Sequence, residues 1–266
     1  MDEKRGFTLV ELLVVIAIIA LLMSILMPAL SRVRKQAKAV ICQSNLKQWS
    51  LVFSMYTGDN DGYFMNGRVR TDSPYWWAGG NGGGMGSWWF LILQPYYKDE
   101  EILLCPMAVK PYDEGGRAPF AAWRTSFGHT GSYGVNGYII NSPPGLDEQL
   151  GRPTKDNWRT SLVNGAADIP LILDALWVDG WPEHFDSPAV VEDWWDDQIG
   201  ESEMRRFCAN RHNEYVNCVF FDFSVRKIGL KELWKLKWNL SYDLNADPPT
   251  EWDDPSHWMY GMKDYD

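Results

Sequence analysis

Residues 5–30 read Arg-Gly-Phe-Thr-Leu-Val-Glu-Leu-Leu-Val-Val-Ile-Ala-Ile-Ile-Ala-Leu-Leu-Met-Ser-Ile-Leu-Met-Pro-Ala-Leu, and this stretch decides the fold. From Phe7 to Met27 the only ionisable side chain is Glu11, in a run of 21 residues. About 20 apolar residues suffice to cross a bilayer as a helix. A carboxylate in such a segment costs roughly 2.5–3.5 kcal/mol at the membrane centre. Near the edge the penalty is smaller, yet the charge still needs a partner. A simple anchor has no use for Glu11, whereas a chain that pairs with another chain inside the membrane does.

The helix is expected to continue beyond the span. Past Pro28, apolar residues recur at Leu30, Val33, Ala37 and Ile41, then at Cys42, Leu46, Trp49, Phe53 and Tyr56. Steps of three and four mark an amphipathic helix. Pro28 is the expected site of a kink, since it lacks an N–H and crowds the preceding turn. A helix over 7–56 is predicted, with its transmembrane part at 7–28. Thr57-Gly58-Asp59-Asn60-Asp61-Gly62 supplies the turn chemistry that ends it. The organisation is then a helix over 7–57 and a globular head over 58–266.

The head reads as short strands and long loops. Trp88–Tyr97 suits a short helix, and Pro170–Asp174 an apolar strand. Arg206–Arg211, Val216–Asp222 and Ser224–Ile228 suit an antiparallel meander. Asp243–Asp266, acidic and aromatic, is expected to wrap the head. The predicted class is α+β: a long amino-terminal helix packed on a head with an antiparallel sheet. Gly79–Gly86 lacks Gly-Lys-Ser/Thr and is no phosphate loop.

The chain has 266 residues and a formal net charge of −10. An acidic balance argues against nucleic-acid binding, which needs clustered Lys and Arg to neutralise phosphate. Arg32, Arg34, Lys35 and Lys38 follow the apolar run and suit lipid headgroups. Counted alone, they would place the carboxyl side in the cytoplasm, against Lys4 and Arg5 on the other flank.

Four cysteines suit an oxidising exterior. Cys42–Cys105 and Cys208–Cys218 are the favoured disulfides, with buried free thiols as the alternative. No C-x-x-C spacing occurs, so no metal site is expected. His212 and Asp222 are expected to approach each other and pin a hairpin by a hydrogen bond. A catalytic role would require a nucleophile, and none sits in a recognisable elbow. His129, His184 and His257 stand alone.

Two acidic runs, Glu192–Asp197 and Asp243 with Asp247, Glu251, Asp253 and Asp254, lack calcium-loop spacing. No cofactor is expected, with calcium the open alternative at these runs. Fifteen tryptophans include the pairs 76/77, 88/89 and 194/195. Adjacent strand residues face opposite ways, so some rings are expected at the surface, where they could stack on polysaccharide. Filling a loop-rich core is the competing use.

Lys4-Arg5-Gly6 followed by Phe7-Thr8-Leu9-Val10-Glu11 resembles the class III leader of type IV pilins and type II secretion pseudopilins. The resemblance implies a leader of residues 1–6, cut after Gly6 by a prepilin peptidase that also methylates the Phe7 amine. It implies that Glu11 neutralises the amine of a neighbouring subunit, and that Pro28 is the proline at the far end of the run. It places the amino terminus in the cytoplasm, one span in the inner membrane and the head outside, overriding the cation count. Cys42-Gln43-Ser44-Asn45-Leu46-Lys47-Gln48, Cys105-Pro106 and Tyr133-Gly134-Val135-Asn136 resemble segments of large pilin-like proteins of planctomycetes. In that group His-x9-Asp-Gly is a signature. Here His212 and Asp222 match it, but Phe223 replaces the glycine, which puts the turn's positive φ in doubt. The expected function is a structural, non-enzymatic subunit that assembles with other pilin or pseudopilin subunits. The alternative is an anchored module with a tryptophan-rich, glycan-binding head.

Overall fold

A computed structural model describes residues 9–66, 88–125, 128–149, 151–192 and 202–263. The leader, the Gly6–Phe7 junction, the glycine-rich loop, the Trp76/Trp77 and Trp194/Trp195 pairs and most of the first acidic run lie outside them.

One helix, α1 (Leu9–Asp59), runs for 51 residues with Pro28 inside it. At 1.5 Å per residue it is about 75 Å long. Its first thirty residues are exposed, and the segment is long and apolar enough to cross a membrane. Its second half buries Ala39, Cys42, Leu46, Trp49, Val52, Phe53 and Thr57 against the head. That stripe is the predicted one, shifted at its end from Tyr56 to Thr57. The Thr57 hydroxyl turns back to the Phe53 carbonyl at 3.0 Å. A short second helix, α2 (Trp89–Ile92), lies beside it in the core.

Among its described residues the head holds ten short strands: β1 (Lys110–Pro111), β2 (Ala121–Arg124), β3 (Thr130–Gly131), β4 (Tyr133–Asn136), β5 (Glu148–Gln149), β6 (Arg152–Pro153), β7 (Pro170–Asp174), β8 (Asp179–Gly180), β9 (Tyr215–Phe220) and β10 (Val225–Gly229). The central sheet has five strands in the order β10-β9-β7-β4-β8. It is antiparallel except where β4 meets β8. Leu173 faces Cys218 across the β7–β9 ladder and Gly134 across β4–β7.

Strand alternation gives the sheet two apolar faces. Tyr133, Val135, Ile172 and Val219 pack with the α1 stripe in one core. Leu173, Val216, Cys218 and Phe220 pack with Phe207, Leu233, Trp238, Trp252 and Met259 in a second. The carboxyl-terminal segment therefore covers the back of the sheet, as expected of a wrapping tail. Gly134 allows the sheet to close up: a Cβ there would lie 2.5 Å from the Trp177 carbonyl oxygen.

The meander is corrected at one strand. Arg206–Arg211 is not extended; Glu203–Phe207 forms a 3-10 turn, and β7 takes the place beside β9. Arg206 is held in that turn by Glu203 at 2.7 Å.

Candidate functional site

The helix motif Cys42–Trp49 is the joint between rod and head. Gln43 Nε2 donates to Asn217 Oδ1 at 3.0 Å and Asn45 Nδ2 to the Leu104 carbonyl at 3.0 Å. Lys47 Nζ reaches the Phe223 carbonyl at 3.2 Å, and Trp49 Nε1 the Ile102 carbonyl at 2.7 Å. Residues four apart share a helix face, so Gln43 and Lys47 meet Asn217 and Phe223 on one face, while Asn45 and Trp49 meet Leu104 and Ile102 on another.

Behind the joint lies a buried polar cluster. Cys42 comes from α1 and Cys105 from the loop before β1. Asp174 ends β7, and His212 precedes β9. One ligand-type atom from each of the four lies within 4.8 Å of the others, and all four residues are buried. The Cys42 thiol lies 3.5 Å from Asp174 Oδ1 and 3.7 Å from Oδ2. Cys105 Sγ is 3.5 Å from His212 Nε2, and the same nitrogen is 3.3 Å from Asp174 Oδ2. Arg211 approaches Asp174 Oδ1 at 3.5 Å. Its guanidinium also donates to the carbonyls of Pro119, Ser132, Ala121 and Ala175. Asn217 donates its backbone N–H to Asp174 at 2.9 Å and its side-chain amide to Cys42 Sγ at 3.2 Å. The Tyr133 hydroxyl lies 3.3 Å from Cys42 Sγ.

Burial raises the Asp174 carboxyl, but the charge and hydrogen bond of His212, with Arg211 and the Asn217 N–H, outweigh it and hold it below the ordinary range. Burial would lower His212; the Asp174 charge overrides that and lifts it to about 9. Burial also pushes the Cys105 thiol up, yet hydrogen bonds from Cys42 and His212 and the Arg211 charge bring it down to about 6. Burial drives Cys42 the other way, well above its usual value.

Cysteine, histidine and aspartate invite a catalytic reading, which the geometry does not support. In a working triad the base is oriented through its second ring nitrogen. Here Nε2 alone meets both Cys105 and Asp174, and the cluster is sealed within the core.

The structure redistributes the predicted site residues. His212 meets Asp174, not Asp222. Asp222 caps its own turn by accepting the Ser224 N–H at 2.9 Å. The strand β9 explains this: it carries the chain away from His212, and six residues at about 3.3 Å each span roughly 20 Å. Phe223 nonetheless keeps the positive φ, at 62°, that glycine would have supplied. All four cysteines are free thiols. Cys42 and Cys105 do come together, joined by the cluster in place of the expected disulfide. Cys218 faces Leu173 and Arg226 in the ladder rather than Cys208, and burial pushes the Cys208 thiol up to about 12. No metal ligands were expected from the sequence, yet four residues of ligand type converge. Asp174, Arg211 and Asn217 were missed. The signal for Asp174 was a carboxylate closing the apolar run Leu171–Leu173, which in a buried strand demands a cation.

Most of the described tryptophans are buried in the core, and Trp88, Trp177, Trp181 and Trp258 are half-buried. Among the described residues none is exposed. The indole N–H groups of Trp89, Trp123, Trp158, Trp234 and Trp238 donate to backbone carbonyls at 2.7–3.0 Å. The pair Trp88-Trp89 opens a helix instead of alternating along a strand. Asp243 and Asp254, in the second acidic run, accept N–H groups of their own turns. His129 borders a surface cavity of about 230 Å³ with Glu100, Glu101, Leu103 and Thr130.

Comparison with known proteins agrees with the rod. The prokaryotic N-terminal methylation motif matches residues 1–27. The chain is 42% identical over 66 residues to the type IV wide pilus major component PilA4 of Thermus thermophilus, a match covering 25% of this chain and 50% of that protein. The chain thus spans about half the length of the curated relative it matches. No solved structure matches it. With this amino-terminal motif, this pilin relative and a long apolar helix leading into a sheet-bearing head, the chain is pilin-like.

Proposed function

We propose that the chain is a structural subunit of a type IV pilus-like or type II secretion filament. The observation that carries this is the combination of a methylation motif at residues 1–27 with a helix whose first thirty residues stand clear of the head. A prepilin peptidase removes residues 1–6 after Gly6 and methylates Phe7. Before assembly the helix spans the inner membrane with the head outside. In the filament the exposed rods pack together, and Glu11 meets the Phe7 amine of a neighbour. In low dielectric such a pair gains far more than at a wet surface, and it offsets the cost of placing a carboxylate in lipid. The chain does its work by packing and performs no reaction. The alternative of a glycan-binding head has no exposed tryptophan ring among the described residues to rest on.

Intact mass of the native protein tests this reading. The expected result is loss of Met1–Gly6 and gain of one methyl group. A full-length, unmethylated species in cells that hold the peptidase would overturn it.

A further inference from the structure

We propose that Cys42, Cys105, Asp174 and His212 bind one zinc ion, closing a tetrahedral site that fastens the rod to the head. Protein zinc sites use bond lengths of about 2.3 Å to sulfur and about 2.0–2.2 Å to nitrogen or carboxylate oxygen. A tetrahedron with those arms has ligand–ligand edges of about 3.3 Å for N to O and about 3.5 Å for S to N or O. The observed separations are 3.3 Å from His212 Nε2 to Asp174 Oδ2, 3.5 Å from Cys105 Sγ to His212 Nε2 and 3.7 Å from Cys42 Sγ to the same Asp174 oxygen, with all four ligand atoms within 4.8 Å of one another. The His212–Asp174 separation is long for a charge-assisted hydrogen bond, about 2.7–2.9 Å, and suits two ligands that share an ion.

The donor set selects the metal. Two sulfurs, an imidazole nitrogen and one carboxylate in a tetrahedral array favour zinc over magnesium, calcium or manganese, which prefer more oxygens. Four protein ligands in a buried site leave no open position, which is the arrangement of structural rather than catalytic zinc.

Charge closes as well. Binding takes one proton from Cys42 and the one that Cys105 and His212 share, releases both to solvent, and leaves two thiolates and a neutral imidazole on the ion. Two thiolates and one carboxylate around a divalent ion sum to −1, and Arg211 beside Asp174 returns the cluster to neutrality. An outer shell is already in place: Asn217 and Tyr133 direct donors at Cys42 Sγ, and the Asn217 N–H holds Asp174. Such partners orient ligands and tune affinity.

The full chain, purified in detergent under reducing conditions, should carry close to one zinc per chain by elemental mass spectrometry. Exchange with cobalt(II) should give intense visible bands of tetrahedral cobalt and near-ultraviolet thiolate-to-cobalt charge transfer. Cys42→Ser and Cys105→Ser should each lower that charge transfer by roughly half, since each removes one of two thiolates. Asn217→Ala should weaken cobalt binding roughly 10–100-fold, and Asp222→Asn should leave it unchanged. A wild-type chain that takes up no cobalt after reduction, or shows only weak octahedral bands, would overturn the proposal without recourse to any variant. So would a native chain two hydrogens lighter, with Cys42 bonded to Cys105, that stays metal-free once reduced and reloaded with zinc. None of these readouts depends on filament assembly, so the site stands or falls separately from it.

Discussion

Asp174 and His212 meet at 3.3 Å in the middle of the head, although 38 positions of sequence part them and Asp222 lies far nearer along the chain. Asp174 also faces the buried Arg211 guanidinium. Removing one partner of a buried ion pair leaves the other uncompensated. Asp174→Asn should therefore destabilise the fold by about 3–5 kcal/mol. Asp222→Asn, at an exposed turn, should stay within about 0.5 kcal/mol. Denaturant unfolding of the full chain in detergent, followed by tryptophan fluorescence, measures both; equal effects would contradict the pairing.

Trp49 is fully buried between α1 and the head, with its rings against Trp89 and Tyr97 at 4.8 and 4.9 Å. Trp49→Ala should cost about 3–5 kcal/mol. Trp49→Phe keeps much of the volume but strands the Ile102 carbonyl, and should cost about 1–3 kcal/mol. The same unfolding measurement ranks the two.

Asp186 gives the head a pH dependence. Burial raises its carboxyl from 3.8 to about 6, against the pull of N–H donors from Glu183 and Met204. The folded state therefore holds the proton more tightly than the unfolded chain. The stability this lends is whole below 3.8 and is lost as pH rises through about 6. An Asn at this position offers an acceptor to the same N–H groups without the charge. Asp186→Asn should stabilise the protein by about 2–3 kcal/mol at pH 7 and by little at pH 4. A gain independent of pH would contradict the assignment.

Phe223 pairs a left-handed backbone with a ring packed on the core. Gly removes the strain but forfeits the ring, so Phe223→Gly should change stability by no more than about 1 kcal/mol. Phe223→Val loses ring contacts and keeps the strain with a β-branched side chain, and should cost about 1–3 kcal/mol. A Val variant as stable as the Gly variant would show that the turn tolerates either backbone.

Glu11→Ala tests assembly. The variant should insert in the membrane as the wild type does, yet fail to form filaments. Sedimentable filaments at wild-type yield would remove the role given to Glu11.

The rod was legible because its two signals are local: a long apolar run, then residues recurring every three or four positions. Pro170–Asp174 and Val216–Asp222 were legible as strands for the same reason, through short β-rich runs. Arg206–Arg211 misled because Arg206, Phe207 and Arg211 are drawn into place by partners remote in sequence: Arg206 by Asp179, Phe207 by the Trp238 ring, and Arg211 by four carbonyls between Pro119 and Ala175. The buried cluster was hidden by distance. Cys42 lies 132 residues from Asp174, and Cys105 lies 107 from His212. No spacing rule reaches that far, although Cys42, Cys105 and His212 each stood in a segment whose residues drew notice. Their convergence is a property of the β4-β7-β9 ladder, which only the folded sheet reveals.

The ties from Gln43, Asn45, Lys47 and Trp49 lie within seven residues of α1, about 10 Å of its length. A pull along the helix axis therefore strains these four fastenings together and not one after another. Such a joint is loaded in shear, with the buried stripe from Ala39 to Thr57 sharing the strain. A tug at the amino end is thereby shared between the β9–β10 hairpin, through Gln43 and Lys47, and the 102–104 segment, through Asn45 and Trp49.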